Sequence, residues 1–344
     1  MVQYRSDESP QSAGFPASAE GGRLANNPHD AWYDMICGME TITCPFCDMP
    51  GDAAISDEGW TARRCPQCRL AFVSPRPMPA EVAAIYTEDA AHGAAAMHIN
   101  HFGQSAGQLT TRKTVKLLRR YRKSGRLLEI GPGGGELLRQ AIAAGYEVAA
   151  VELNPIQAEH IRSSLGVPVW QSISDVEERF DIVYHCDVLS HFFDPVTTFK
   201  EIRAVLNDGG LHIFETGEGD FHSKYNRLFS SFQFPDHLFL FSQSSLIELL
   251  RRTGFTHVKT LRYSIVAQLM LEKLLSPVKG RALGVDDSGA AVSGASVSAT
   301  KWVTDLKATM FALNWVRYFV RYGVGRIAPH TGRPQTVVVV ARKA

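Results

Sequence analysis

The stretch LLEIGPGGGELLRQA, residues 127–141, decides the fold. An apolar run, Leu127 and Leu128, leads into the acidic Glu129. Four glycines then fill five positions, and an apolar pattern of helical period starts at Glu136. A glycine loop between a strand and a helix marks a backbone that must come close to a ligand.

Outward from this loop, strand and helix patterns alternate. RLLEIG predicts a strand, and ELLRQAIAAG a helix that Gly145 ends. YEVAAVEL and VPVWQ predict strands on either side of the helix NPIQAEHIRSSLG. FDIVYHC and LHIFET predict two more, flanking the helix DPVTTFKEIRAVLNDGG. The helix SQSSLIELLRRTGF precedes a strand at HVKTLRY, and QTVVVVARK predicts the last strand. Seven strands in this alternation predict an α/β domain with an open, mostly parallel sheet and helices on both faces.

A helical insertion over about 264–335 separates the last two strands, with element edges good to a few positions. It contains the low-complexity stretch SGAAVSGASVSA and an aromatic helix near 302–322. Trp302, Leu306, Met310, Leu313 and Phe319 recur there at helical spacing. That pattern predicts a helix packed on the core. A cap over the substrate, or a surface touching a membrane, is the other reading.

Nucleotides, nicotinamide cofactors and S-adenosylmethionine are all bound by glycine loops, and spacing separates them. A dinucleotide fingerprint needs glycines at positions one, three and six. Counted from Gly131, the sixth position is Glu136, a poor neighbour for a pyrophosphate. No GK[ST] follows, so the phosphate-loop motif is absent. What stands is E-x-G-x-G-x-G, formed by Glu129, Gly131, Gly133 and Gly135. The second predicted strand ends at Glu152, where a carboxylate can accept hydrogen bonds from both ribose hydroxyls. A tight structural turn is the bland alternative.

With these residues in place, residues 126–263 resemble a class I S-adenosylmethionine-dependent methyltransferase of the small-molecule branch. FDIVYHCDVLSHFFDPVTTFKEIRAVLNDGGLHIFET resembles that family's fourth-to-fifth-strand unit. FPDHLFLFSQSSLIELLRRTGF resembles the segment that follows it. The resemblance implies a Rossmann-like, doubly wound fold with S-adenosyl-L-methionine as cofactor. It implies that Glu129, Gly131, Gly133 and Gly135 surround the methionine half and that Glu152 meets the ribose. Ser172 and Ile173 then fall near the adenine, and Asp187 beside the methyl-transfer centre. One departure concerns the loop after the fourth strand. The family commonly has Glu-His there, whereas this chain has Ser190-His191, which removes the acid and keeps the histidine.

Upstream, CPFC and CPQC place Cys44, Cys47, Cys65 and Cys68 in a C-x2-C-x17-C-x2-C pattern. Two such knuckles bring four thiolates to one tetrahedral ion, the zinc-ribbon arrangement. Two disulfides are the alternative, disfavoured in a reducing compartment. A closed four-sulfur site has no open position for chemistry, so the expected Zn2+ is structural. Cys37 and Cys186 stand outside the pattern and read as ordinary thiols. The expected division is a flexible tail over 1–40, a zinc ribbon over 41–75, a helical linker or cap over 76–125, and the methyltransferase domain over 126–344.

Composition narrows the partners. Lys and Arg number 36 against 35 Asp and Glu, so the chain lacks the basic excess of a phosphate-backbone binder. Arg63, Arg64, Arg69 and Arg76 near the ribbon are few. The N-terminus shows no basic segment leading into an apolar run, and TMFALNWVRYFVRYGVG is broken by Arg317 and Arg321. These features predict a cytoplasmic protein, and the family resemblance implies a small-molecule acceptor such as a sugar, a glycan precursor or a secondary metabolite. The oligomeric state is not set by the sequence.

Methyl transfer needs positioning above all, and a base where the acceptor must lose a proton. His191, just past the fourth strand, and His237, in the aromatic loop FQFPDHLFLF, are the candidates. Each has a structural alternative as a hydrogen-bonded side chain. His222 and Tyr225, in DFHSKYN, are further residues that could contact the acceptor, but nothing in the spacing selects them. Two rival readings complete the set: an RNA or protein methyltransferase with the ribbon as recognition module, and a scaffold that keeps the fold without the chemistry.

Overall fold

The computed structural model describes residues 38–57, 59–87, 99, 105–218, 232–271, 273, 315–329 and 333–344. Residues 1–37 of the expected tail over 1–40, including Cys37, lie outside the described residues, as do His222, Tyr225, SGAAVSGASVSA and positions 302–314.

The N-terminal part consists of β1 (Met39–Glu40), β2 (Asp52–Asp57), β3 (Trp60–Arg64), β4 (Ala71–Val73), β5 (Arg76–Pro77) and helix α1 (Pro79–Thr87). Helix α2 (Ser105–Tyr121) leads into β6 (Gly125–Ile130), α3 (Glu136–Ala143) and β7 (Tyr146–Val151). Next come α4 (Pro155–Leu165), β8 (Val169–Trp170), β9 (Phe180–Cys186), α5 (Pro195–Val205) and β10 (Leu206–Glu218). The last elements are β11 (Phe239–Leu240), α6 (Gln243–Arg252), β12 (Phe255–Ser264), a helical segment 315–327 and β13 (Gln335–Lys343).

Local chemistry sets these boundaries. Asn154 caps α4 by accepting the N–H groups of Ile156 and Gln157, with Pro155 in the first turn and Gly166 in left-handed backbone past its end. Asp194 and Pro195 repeat the start at α5, and Ser242 with Ser245 closes a capping box at α6. The predicted helix through NDGG ends earlier, at Val205. Leu206 already pairs with Phe180, and the register slips before Leu211 pairs with Ile182. Gly209, at φ +68°, turns that bulge.

The main sheet has seven strands in the order β12-β13-β10-β9-β6-β7-β8. β6, β7, β8, β9 and β10 run parallel, and β13 runs antiparallel to both β10 and β12. Alternation along the strands sends side chains to two cores. Leu127, Ile182, Ile213 and Val338 face α2, α3 and α4, together with Tyr322 of the segment 315–327. Leu128, Val183, Phe214 and Val339 face α5, α6 and the cysteine-bearing N-terminal part. The expected doubly wound architecture is the one formed.

A smaller sheet, in the order β11-β4-β3-β2, draws its edge strand from far along the chain. Phe239 pairs with Phe72 and Leu240 with Ala71. Among the described residues, no helix is long and apolar enough to cross a membrane.

Candidate active site at the carboxyl edge of the sheet

The chain lays β6, β7 and β8 toward one edge and then returns to place β9 on the other side of β6. Such a reversal leaves a crevice beyond the carboxyl ends of the two central strands, where ligands bind in open α/β sheets. Gly131 opens the loop after β6 in left-handed backbone, at φ +66°. A Cβ on it would lie 2.8 Å from Val188 Cγ2. The loops after β6 and β9 therefore touch because residue 131 has no side chain. Gly133 and Gly135 are also left-handed, at φ +57° and +82°, and Gly135 caps α3 without a side-chain acceptor.

Two acids border this loop. Glu129, 5% exposed, has an Oε2 without a hydrogen-bond partner among the described residues. Burial, and then the charge of Glu152, pushes its carboxyl up to about 8. Glu152, 8% exposed, lies just past β7 and accepts the Asn154 N–H at 2.9 Å. Burial pushes it up to about 7, against the pull of the N–H groups of Asn154, Gly133 and Leu153. A buried carboxylate oxygen without a donor is costly. S-adenosylmethionine carries an ammonium group, a donor of the kind that Glu129 Oε2 lacks, and ribose hydroxyls that can add to the backbone donors on Glu152. The residues fit that cofactor.

The other expected contacts spread along the same edge. Ser172 and Ile173 follow β8 on a short helical turn, where Ser172 Oγ accepts the Ser174 N–H at 3.3 Å and Ile173 is buried. Asp187 follows β9 at φ +53°, and its N–H donates to the Glu215 carbonyl at 3.0 Å. Glu215 is itself tied to Arg321 at 3.1 Å and to the Tyr322 hydroxyl at 3.2 Å. The segment 315–327 is thereby anchored against the sheet near its carboxyl edge.

His191 and His237 come together, with ring centroids 4.8 Å apart. His191 Nδ1 lies 2.9 Å from the Asp236 carbonyl oxygen and 3.1 Å from its Oδ1. The Tyr86 hydroxyl is 2.9 Å from the same nitrogen and donates to Asp236 Oδ1 at 2.5 Å. With acceptors around Nδ1, the ring proton belongs there, and Nε2 keeps the free lone pair. Burial works against a charged His191, but the hydrogen bond and charge of Asp236 outweigh it and raise its pKa. Burial likewise opposes the Asp236 charge, yet His191 and the Tyr86 hydroxyl bring it down to about 2. His237 is held below its ordinary value by burial and by His191, and its Nδ1 donates to the Phe232 carbonyl at 3.0 Å. The His191 and Asp236 side chains are 20% and 17% exposed, so the pair is open to a ligand.

Sequence reasoning missed Asp236, Tyr86 and Asn154. Asp236 had a readable signal, since it stands directly before His237. Tyr86 had none, because only folding brings α1 to this edge. Asn154 Nδ2 donates to the Tyr86 carbonyl at 2.8 Å, linking the turn after Glu152 to the histidine cluster.

The four paired cysteines also converge, their sulfurs all within 4.8 Å of one another. The two knuckles repeat one backbone pattern. Asp48 N–H donates to the Cys44 carbonyl at 2.9 Å, and Arg69 N–H to the Cys65 carbonyl at 3.0 Å. Cys44 N–H donates to Met49 at 2.8 Å, and Cys65 N–H to Leu70 at 2.9 Å. Asp48 and Arg69, each four residues past the first cysteine, are both left-handed. All four thiols are free, and Cys44 Sγ is 3.5 Å from Cys68 Sγ, too far for a disulfide. Four soft sulfur donors on twin turns fit a tetrahedral zinc ion.

Sheet order, glycine loop and the two acids together form a Rossmann-like, doubly wound domain whose ligand crevice lies at the carboxyl edge of the sheet. Residues 101–260 match the family model described as a methyltransferase domain. A ubiquinone biosynthesis O-methyltransferase from Cereibacter sphaeroides is 35% identical over 101 residues, which cover 26% of this chain and 40% of that protein. One from a Ruegeria species is 28% identical over 156 residues, covering 38% of this chain and 63% of the relative. This chain thus spans only part of these relatives' length. Among solved structures, geranyl diphosphate C-methyltransferase from Streptomyces coelicolor aligns over 68% of this chain and 80% of its own. Its TM-score is 0.41 and its identity 13%.

Proposed function

We propose that the chain is an S-adenosylmethionine-dependent methyltransferase that methylates a hydroxyl group of a small-molecule acceptor. The observation that carries this reading is the partly exposed His191–Asp236 pair, on the sheet edge that also holds the glycine loop and Glu152. The names of the O-methyltransferase relatives support a hydroxyl acceptor.

In this reading Glu129, Gly131, Gly133 and Gly135 hold the amino-acid half of the cofactor, and Glu152 holds the ribose. Ser172 and Ile173 border the adenine, and Asp187 lies beside the transferring methyl. When bound, S-adenosylmethionine supplies a methyl group that is already activated. The chain's main task is then positioning, worth up to about 7–11 kcal/mol of barrier. His191 takes the acceptor's hydroxyl proton on Nε2, while Asp236 holds the Nδ1 proton in place and stabilises the imidazolium. His237 shapes the opening beside it.

Zinc on Cys44, Cys47, Cys65 and Cys68 is assigned a structural role, since four sulfurs leave no open position. The domain reading stands as a ribbon over 41–75, a linker or cap over 76–125 and the catalytic domain over 126–344. Reduced thiols of this kind suit the cytoplasm.

The test starts with calorimetric titration by S-adenosylhomocysteine. Glu152→Ala is expected to weaken binding by about ten- to a hundredfold, the worth of hydrogen bonds to a charged group. Methyl transfer to a panel of phenolic and sugar hydroxyls follows. His191→Ala is expected to slow turnover by about 10² to 10⁴ at unchanged cofactor affinity. A folded chain that does not bind S-adenosylhomocysteine would sink the reading.

A further inference from the structure

A groove of about 430 Å³ lies between α2 and the helical segment 315–327. It is on the sheet face opposite the cysteine quartet, since α2 and Tyr322 share one core and the cysteines belong to the other. Arg112, Lys116 and Arg120 recur every four residues and form one stripe along α2. Lys113 lies beside the stripe, and Arg326 faces it from the other wall. No Asp or Glu is among the described residues that line the groove. Among the described residues, no ion pair joins Lys116, Arg120 or Arg326 to a carboxylate. Like charges four residues apart destabilise a helix, a local cost that a bound anion would relieve.

The remaining wall is aromatic, built from Tyr263, Trp315, Tyr318 and Tyr322. The Lys113 ammonium sits 3.4 Å from the centre of the Tyr322 ring and 4.3 Å from that of Tyr263. A face that holds cations at one side and aromatic rings at the other matches an anion attached to a planar or apolar body. The cations converge on a concave space, which suits a small molecule better than a flat surface. Tyr322 also reaches the methyl-transfer edge, its hydroxyl donating to Glu215 at 3.2 Å, whereas the cationic stripe takes no part in the site described above.

We propose that this groove binds a phosphate-bearing small molecule, its phosphate on the α2 stripe and its body against the aromatic wall. The assignment stands independently of the methyl-transfer reading. Calorimetric titration of the full chain with inorganic phosphate and with phenyl phosphate, at fixed ionic strength, tests it. Both are expected to bind, phenyl phosphate several-fold more tightly through the rings. The double variant Lys116→Ala, Arg120→Ala is expected to weaken both by about tenfold or more. Its thermal midpoint should not fall, because both side chains are exposed and their like charges no longer repel. Absence of phosphate binding, or equal binding by the variant, overturns the proposal. Binding to phosphatidylglycerol vesicles without binding of either phosphate also overturns it, and gives this face to a membrane surface instead.

Discussion

Glu129 and Glu152 store a protonation change that a bound ligand would release. With burial raising them to about 8 and about 7, both are largely protonated in the free protein near pH 6. An ammonium group and hydroxyl donors favour the ionised carboxylates, so binding at that pH must expel protons. S-adenosylhomocysteine is therefore expected to bind more tightly as pH rises from 6 to 8. Its calorimetric enthalpy should change with the ionisation enthalpy of the buffer in the sense of proton release. Affinity that is flat across this range would mean that neither acid meets the ligand. At this scale the sequence carried most of the cofactor side, because E-x-G-x-G-x-G and the strand-end Glu152 are local patterns. It carried half of the histidine cluster. Asp236 and Tyr86 act only through contacts that folding creates.

The N-terminal ribbon is coupled to the catalytic edge through single strands. β11 closes the small sheet, Val73 N–H donates to the Leu238 carbonyl at 3.0 Å, and Leu238 N–H donates to Ser190 at 2.8 Å. The same segment carries Asp236 and His237. Beyond it, Ser242 and Ser244 hydroxyls donate to the Cys68 carbonyl at 3.1 and 2.7 Å, joining the second knuckle to the start of α6. Arg76 adds a further tie, donating to the Phe193 carbonyl at 2.8 Å while stacked 3.7 Å over the Phe193 ring. With zinc on the four cysteines, as proposed, its removal should loosen the histidine loop as well as the cysteine knuckles. Chelation, or Cys65→Ser, is expected to lower the thermal midpoint by several degrees, each kcal/mol being worth about 2–4 °C at this size. Hydrogen exchange should speed up at residues 232–242 while β6 and β7 stay protected. Protection unchanged at 232–242 would leave the ribbon an independent appendage. The paired CxxC spacing announced the cysteine cluster. A two-residue strand such as Phe239–Leu240 has no period to read, so its pairing with residues 71–72 was beyond sequence patterns.

The molecule as a whole encloses two neutral histidines that serve no described contact to solvent. His185 on β9 and His212 on β10 are fully buried and 5.1 Å apart, among Phe199, Phe214 and Phe255. No ring nitrogen of either has a hydrogen-bond partner among the described residues. Burial holds His185 down to about 3, and burial with the neighbouring His185 holds His212 well below its usual value. Between about pH 3 and the ordinary value of 6.5, the unfolded chain binds a proton at His185 and the folded one does not, and the lowered His212 acts in the same direction below 6.5. Stability therefore falls as pH drops through that window, by about 1.4 kcal/mol per unit for each histidine. The raised Glu129 and Glu152 act with the opposite sign between about 4.5 and 7, because there the folded chain holds the extra protons. In the free protein the two pairs offset one another near pH 5–6. A bound ligand that ionises the acids removes their share and leaves the histidine slope exposed. The S-adenosylhomocysteine complex is thus expected to lose stability with acid more steeply than the free chain. A His185→Leu, His212→Leu variant should flatten that slope in both forms. Denaturant midpoints from pH 4.5 to 7 measure it, and equal slopes in variant and parent would place the acid sensitivity elsewhere in the fold.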